Sequence, residues 1–402
     1  MAPDRLNESS RNVLVLAAAQ ALSASGMMTM TLLGGLLGSV LAPMPQLATL
    51  PVSLTILGLA LATVPASLLV QRVGRRRAFI GSALLASVAA LAISYAIVHS
   101  SFTLLCAAAL VLGSNLAFQQ QHRFAAAECV GPERVSRAVS TVMVGTLVAA
   151  AVGPQIALHD KDLIAGHEYA GSFVGVALLC VGTAIVLAFY RPPPVHHSLS
   201  AGSARPLGEI VRQPLYLLAV LAGVVSYAGM SFIMTATPIS MHVHDHHSDG
   251  ATAWVIQSHL LAMYVPSLFS GALITRIGTR LGMTAGLALM AACIAVDAAG
   301  RDLMHYWWGL VLLGVGWNLL FVAGTALLTT TYRPAERYRA QAVNEFSVFG
   351  TQALASLLAG PAIHALGWQA LNFAAAVPMA LFAALLAFGP APSDRGTRAN
   401  SP

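Results

Sequence analysis

Two short patterns hold the side chains of this chain best suited to chemistry. Met230 and Met234 stand four residues apart, and so do His259 and Met263. Each spacing occurs once in the sequence. On a helix, an i, i+4 pair stacks on one face, about 6 Å apart along the axis. Two adjacent helices would bring three thioethers and one imidazole to a single point. Thioether is a soft, neutral donor that suits Cu(I), whereas zinc prefers thiolate, imidazole and carboxylate. Mg2+ or Ca2+ would need oxygen, which these four positions lack. Packing competes with the metal reading, because methionine fills irregular gaps between helices. With 14 methionines in 402 residues, chance alone supplies about half a pair at spacing four. The imidazole weighs on the other side, since an ionisable group inside an apolar run is costly and points to function.

Between the two patterns runs MHVHDHHSD, which places Met241, His242, His244, His246 and His247 beside Asp245 and Asp249. A histidine-rich tract reads as a weak metal-capture site or as a solvated polar loop. Elsewhere FQQQHRF sets Gln119, Gln120, Gln121 and His122 in an apolar run. Gln120 and His122 would line a cavity, bind an organic ring, or bond to a neighbouring helix beside Arg123. Asn344 and Glu345 open another run; Glu345 would carry protons or pair with Arg339. Trp317 and Asn318 would line a path or pack, and Met27, Met28 and Met30 are candidate secondary sulfur donors. Cys106, Cys129, Cys180 and Cys293 are far apart and form neither a CxxC nor a disulfide framework. Nothing resembles a catalytic triad or a phosphate-binding loop, so an enzyme is not expected, and no permanently bound cofactor either.

The elements that must position these residues are membrane helices. The chain is 57% hydrophobic and 9% charged, against about 25% charged in soluble domains. About 20 apolar residues cross the hydrocarbon. Twelve such runs fall at 13–41, 48–70, 78–98, 101–126, 138–158, 170–190, 214–240, 252–275, 282–299, 303–330, 342–366 and 368–390. The N-terminus lacks a short apolar core followed by a cleavage site, so the first run reads as a retained helix. Of the 21 basic residues, only Lys161 and Arg301 fall on the face opposite the termini. The positive-inside rule therefore puts both termini and the long central loop in the cytoplasm. The net charge of +6 follows from that asymmetry and gives no reason to expect nucleic acid. Expected boundaries are a first six-helix half (1–190), a central loop (191–213), a second half (214–390) and a cytoplasmic tail (391–402).

The halves echo each other. QRVGRRRAFIGSALL from Gln71 matches TRIGTRLGMTAGLAL from Thr275, 204 residues on. PERVSRAVS from Pro132 matches AERYRAQAVN from Ala335, and Gly153-Pro154 matches Gly360-Pro361. Matches in one order at nearly one offset imply two parallel six-helix repeats. With twelve helices and an arginine-glycine loop after the second, the chain resembles the major facilitator superfamily. That family's loop usually reads G-x-x-x-D-R-x-G-R-R. Here Ser67 replaces the first glycine and Gln71 the aspartate, followed by Arg72, Gly74, Arg75 and Arg76. The missing carboxylate bears on the gating role usually given to that loop. Gly145 and Gly153-Pro154 resemble a motif of the family's exporters, and small residues there also serve close helix packing.

Within this fold, a Met-x3-Met in the seventh run paired with a His-x3-Met in the eighth resembles the CcoA-type bacterial copper importers. Riboflavin importers are related to them. The resemblance implies an all-α, twelve-helix major facilitator fold in the bacterial cytoplasmic membrane. It also implies ligands Met230, Met234, His259 and Met263, with copper, as Cu(I), carried for assembly of cbb3-type cytochrome oxidase. Implied partners are the copper ion, membrane lipid, a periplasmic copper donor and a cytoplasmic copper chaperone, around a monomer. Two other functions stay open. One is an organic-solute carrier, riboflavin import first and drug efflux second, supported by the polar patch between Phe118 and Phe124. The other is a metal sensor, for which the tail APSDRGTRANSP offers no output domain.

Overall fold

The computed structural model describes residues 3–130, 134–193 and 205–388. Residues 194–204 of the expected central loop and the whole expected tail lie outside those residues. Regular structure among the described residues is entirely helical. In hydrocarbon a backbone finds no water, so an apolar run must satisfy its own amides, and a helix does so locally. The first seven crossings begin with α1 (Pro3–Leu41), α2 (Leu50–Val73), α3 (Arg75–Val98) and α4 (Phe102–Gln119). They continue through α5 (His122–Glu128), α6 (Val135–His159), α7 (Ala170–Ala188), a short α8 (Leu207–Val211) and α9 (Pro214–Pro238). After α9 come α10 (Asp249–Tyr264), α11 (Ser267–Ile277), α12 (Thr279–Ala299), α13 (Leu303–Thr329) and α14 (Arg337–Phe388).

Among the described residues ten helices are long and apolar enough to cross a membrane by themselves, counting α4 with α5 and α14 as one each. Together α10 and α11 make another crossing, bent by 44°. Its cause is Pro266, which has no N–H to donate and whose ring crowds the carbonyl four residues back. Inside α14, Gly367 takes φ 75° and ψ 177°, a left-handed φ that breaks the helix into two crossings. Among the described residues the total is then twelve, as the hydropathy pattern predicts. Two details differ from it. The fourth crossing is interrupted at Gln120 and Gln121, and the seventh continues past Pro238 as a π-helical turn, Ile239–His244, where a loop is expected.

By internal contact the described residues fall into two units. One takes its members from 1–197, 235–257 and 356–365; the other from 198–234, 258–355 and 366–402. In the first unit α1 and α6 touch through small residues. A Cβ on Gly145 would stand 2.4 Å from the Ala17 carbonyl oxygen, and one on Gly153 2.7 Å from that of Ser25. Thr29 Oγ1 uses the approach, donating to the Gly153 carbonyl at 2.9 Å. Lipid tails compete equally for apolar side chains, so such close backbone packing and hydrogen bonding hold membrane helices together.

The arginine-glycine loop is built twice. Gly74 (φ 85°, ψ 154°) and Gly278 (φ 85°, ψ 157°) share one conformation between consecutive helices. Two residues later Arg76 caps the Ala188 carbonyl at the end of α7, and Arg280 caps the Leu386 and Ala387 carbonyls at the end of α14. Cationic donors at helix C-termini satisfy carbonyls left without intrahelical partners. Gln71 and Arg72 are exposed. Arg75 of this loop donates its Nε at 2.9 Å and Nη2 at 2.5 Å to the Glu128 carboxylate.

Candidate functional site

The four residues of the opening pattern all lie inside the second unit, and all are buried: Met230 and Met234 on α9, His259 and Met263 on α10. His259 Nδ1 donates to the Leu310 carbonyl of α13 at 2.7 Å, which fixes the ring between helices. Its Nε2 meets no hydrogen-bond partner among the described residues. Gly314 of α13 keeps the two helices close, since a Cβ there would lie 2.8 Å from the His259 carbonyl oxygen. Asn318, one turn further on, gives its amide to the Met263 carbonyl at 2.8 Å and to Ser267 Oγ at 2.5 Å. It therefore splints the backbone at the Pro266 break, where carbonyls lose their helical donors.

The histidine tract is distributed rather than gathered. Met241 is wholly buried in the π-helical turn. His242 Nδ1 lies 3.1 Å from the His247 carbonyl and 3.1 Å from Asp249 Oδ1. His244 packs edge-on to His364, ring centroids 5.7 Å apart, and His246 takes a left-handed φ of 57°. Among the described residues no group of three or more His, Cys, Asp or Glu side chains is placed to hold a metal ion. Asp249 also receives the Tyr169 hydroxyl at 2.7 Å and lies 3.6 Å from Lys161, which itself pairs with Glu168 at 3.1 Å. Burial first, and Asp249 second, push the Tyr169 hydroxyl up from its ordinary value, so it stays a donor.

The polar patch of the fourth crossing belongs to the first unit's interior. His122 Nδ1 meets Gln20 Oε1 at 2.9 Å, and Gln20 Nε2 donates to Thr146 Oγ1 at 3.1 Å. Gln119 and Asn115 both donate to Ser23 Oγ, at 2.8 and 2.9 Å. These are interhelical ties that satisfy buried polar groups. Gln120 is half-buried, as are Asn344 and Glu345.

What sequence reasoning missed is an aromatic cluster in the second unit. Tyr227, near the middle of α9, stands edge-on to Trp317, Phe321 and Phe349, with centroids 5.1, 5.1 and 5.5 Å away. Trp317 and Phe321 of α13 lie nearly parallel, 5.4 Å apart, and Tyr264 at the end of α10 meets Trp317 at 6.1 Å. Four helices thus bring five rings together. Trp317 and Phe349 are buried, while Tyr227, Tyr264 and Phe321 are half-buried. None of the five carries a formal charge, and aromatic faces of this kind favour flat, neutral, apolar-bodied molecules. The local hint was Trp317 with Phe321 at i, i+4; the other three rings lie on other helices at no fixed spacing.

Twelve membrane-crossing helices in two repeats, enclosing buried polar and aromatic side chains, define a multi-pass transporter. The Major Facilitator Superfamily profile matches residues 14–234 and 219–402, and the chain belongs to that superfamily. It is 44% identical to a protein of Brucella anthropi described as riboflavin transporter RfnT, over 90% of this chain and 92% of that one. It is 28% identical to an uncharacterized transporter of the superfamily from Bacillus subtilis, YddS, over 93% and 90% of the two chains. The crystal structure of a bacterial homologue of the human lysosomal transporter Spinster, inward-facing and unoccupied, matches the fold with a TM-score of 0.73. That match covers 94% of this chain and 96% of the other at 16% identity.

These findings overturn the copper reading. The near-full-length relative at 44% identity carries riboflavin in its description, and nothing among the relatives points to copper or to oxidase assembly. The physical reason for the error is that four spaced donors are also what a well-packed helix interface holds. Here the imidazole is tied to a backbone carbonyl, and the methionines are buried in the same unit.

Proposed function

We propose that the chain is a riboflavin importer of the bacterial cytoplasmic membrane, moving the vitamin inward by alternating access. The observation that carries the reading is the 44% identity, over 90% of the chain, to a protein described as a riboflavin transporter. The aromatic cluster supports it, because riboflavin presents a flat, uncharged tricyclic ring with a polar edge and a hydroxylated tail. A buried charge in the cluster would oppose such a molecule; five neutral rings accommodate it. In this reading the arginine-rich loops face the cytoplasm, with both termini. The protein then works as a monomer in lipid.

The test is growth and uptake together. A bacterial host unable to make riboflavin and lacking its own importer should grow on scarce riboflavin when it expresses this chain. The same cells should accumulate labelled riboflavin. No growth and no accumulation, with the protein confirmed in the membrane, would overturn the reading.

A further inference from the structure

We propose that the ring of a flavin stacks in the aromatic cluster of α9, α10, α13 and α14, where Trp317 and Gln352 read its imide edge. This inference rests on the riboflavin reading above and adds to it the atoms that recognise the substrate. Two buried polar atoms motivate it. Trp317 is 4% exposed, and its Nε1 has no hydrogen-bond partner among the described residues. Gln352 is 8% exposed, and its Oε1 has none either. Buried polar groups nearly always find partners, so each exception asks for an explanation.

Position joins the two atoms to the cluster. Trp317 is a member of it. Gln352 follows Phe349 by three residues on α14, so both side chains lie on the same helical face. That face meets Tyr227, which in turn touches Trp317 and Phe321. Asn318 also has an unpartnered Oδ1. Its amide nitrogen, however, is committed to the α10 and α11 break, and it stands about 100° around α13 from Trp317.

The two atoms are complementary to one chemical edge. Trp317 Nε1 can only donate, and Gln352 Oε1 can only accept. The pyrimidine end of an isoalloxazine offers an N3–H flanked by two carbonyls, an acceptor and a donor side by side on a rigid plane. Stacking holds the plane; a ring carbonyl receives Trp317 and N3–H goes to Gln352. A site that must satisfy its own buried groups rejects analogues that cannot do so far more strongly than one that only encloses apolar surface.

The experiment compares riboflavin with 3-methylriboflavin, which keeps the ring, the carbonyls and the tail but lacks N3–H. Initial uptake of each is measured in cells expressing wild type, Gln352→Leu, Gln352→Met and Trp317→Phe. The ratio within each variant cancels differences in abundance. Wild type should prefer riboflavin by about tenfold or more, the effect of one buried hydrogen bond. Both Gln352 variants should lose that preference. Trp317→Phe should raise the apparent KM for both compounds by about tenfold and keep the preference, since both retain the carbonyls. Riboflavin uptake with no preference in wild type would overturn the inference and leave the riboflavin reading intact. So would a preference that survives in both Gln352 variants. Absence of riboflavin uptake by wild type would overturn the reading, and this inference with it.

Discussion

Leucine in place of methionine keeps volume and apolarity but removes the sulfur lone pair, so it separates packing from ligation. Met230 and Met263 are buried between helices, and volume-conserving swaps at such positions usually cost under about 1.5 kcal/mol. Met230→Leu and Met263→Leu should therefore each retain riboflavin uptake near the wild-type rate; loss of uptake in both, at normal abundance, would show that sulfur itself takes part. Asp297 tests packing from the opposite direction. It is wholly buried on α12, with Oδ2 3.5 Å from Cys293 Sγ, and a Cβ on Gly309 of α13 would lie 2.1 Å from its Oδ1. Gly309→Ala should lower stability by about 1–3 kcal/mol, as overpacking does. The loss should shrink in an Asp297→Ala background, where the clash has no carboxylate to meet. Equal losses in both backgrounds, read as detergent melting temperatures, would refute the contact. These residues also show what a sequence reveals at this scale. Met230 with Met234 and His259 with Met263 stand out because their spacing is local, yet local spacing is shared by ligands and by packed faces. Tyr227, Tyr264, Trp317, Phe321 and Phe349 meet only after four helices have docked, and a single sequence carries no record of that docking.

Elements are pinned by charged residues at their ends, and one of these pins has a pH dependence that can be worked out. Glu336 precedes α14 and its side chain is fully buried. It receives Arg205 Nε at 2.8 Å, Arg205 Nη2 at 2.7 Å, and the backbone N–H groups of Arg205 and Arg333 at 3.0 and 2.8 Å. Arg205 also reaches the Thr331 carbonyl at 3.2 Å, so the approach to α8 is tied to the turn between α13 and α14. The side-chain bonds from Arg205, foremost, hold the Glu336 carboxyl well below its ordinary value of 4.5. A depressed carboxylate contributes stability that is complete above the ordinary value and fades as pH falls through the folded one. Wild type should thus melt at a higher temperature than Glu336→Gln, by a margin that is flat from pH 8 to about pH 5 and narrows only in stronger acid. A margin that narrows between pH 8 and pH 6 would place the effect elsewhere. AERYRAQAVN was legible as a repeat of PERVSRAVS, which located the element. Glu336's partner was not, because Arg205 stands 131 residues away. The eighth run read as one unbroken crossing; its bend of 44° at Pro266 and the Asn318 splint there emerge only with α13 packed alongside.

For the whole molecule the twelve crossings and the doubled loop were legible because the bilayer imposes length and apolarity on each run. The repeat offset of 204 residues recurs in matching backbone angles at Gly74 and Gly278. Alternating access adds a requirement that no single run displays: some contacts must form in one state and part in another. The first unit holds a set suited to that role. Ser53 Oγ of α2 lies 2.8 Å from Ser356 Oγ of α14, which lies 3.1 Å from Thr235 Oγ1 of α9. Gly360 of α14 seats against α2's entrance, where a Cβ would stand 2.4 Å from Thr49 Oγ1. Gln257 of α10 donates to the Ala151 carbonyl of α6 at 3.1 Å, and Tyr169 reaches Asp249 at the start of α10. Single hydroxyl bonds between membrane helices are worth only about 0.6 kcal/mol each, so a set of them can hold a closed state and still release. In the proposed orientation, with the arginine-rich loops in the cytoplasm, these contacts would lie toward the outer ends of their helices, on the side from which an importer takes its substrate. Ser53→Cys with Ser356→Cys should therefore be joined by a short bis-methanethiosulfonate cross-linker, which holds each thiol through a reducible disulfide. Joining them should stop riboflavin uptake, and a reductant should restore it. The native Cys106, Cys129, Cys180 and Cys293 are all buried, so wild type treated in the same way serves as the control. Uptake by the cross-linked protein at the rate of its reduced form would mean that Ser53 and Ser356 stay together throughout the cycle, and the entrance would have to open along other helices.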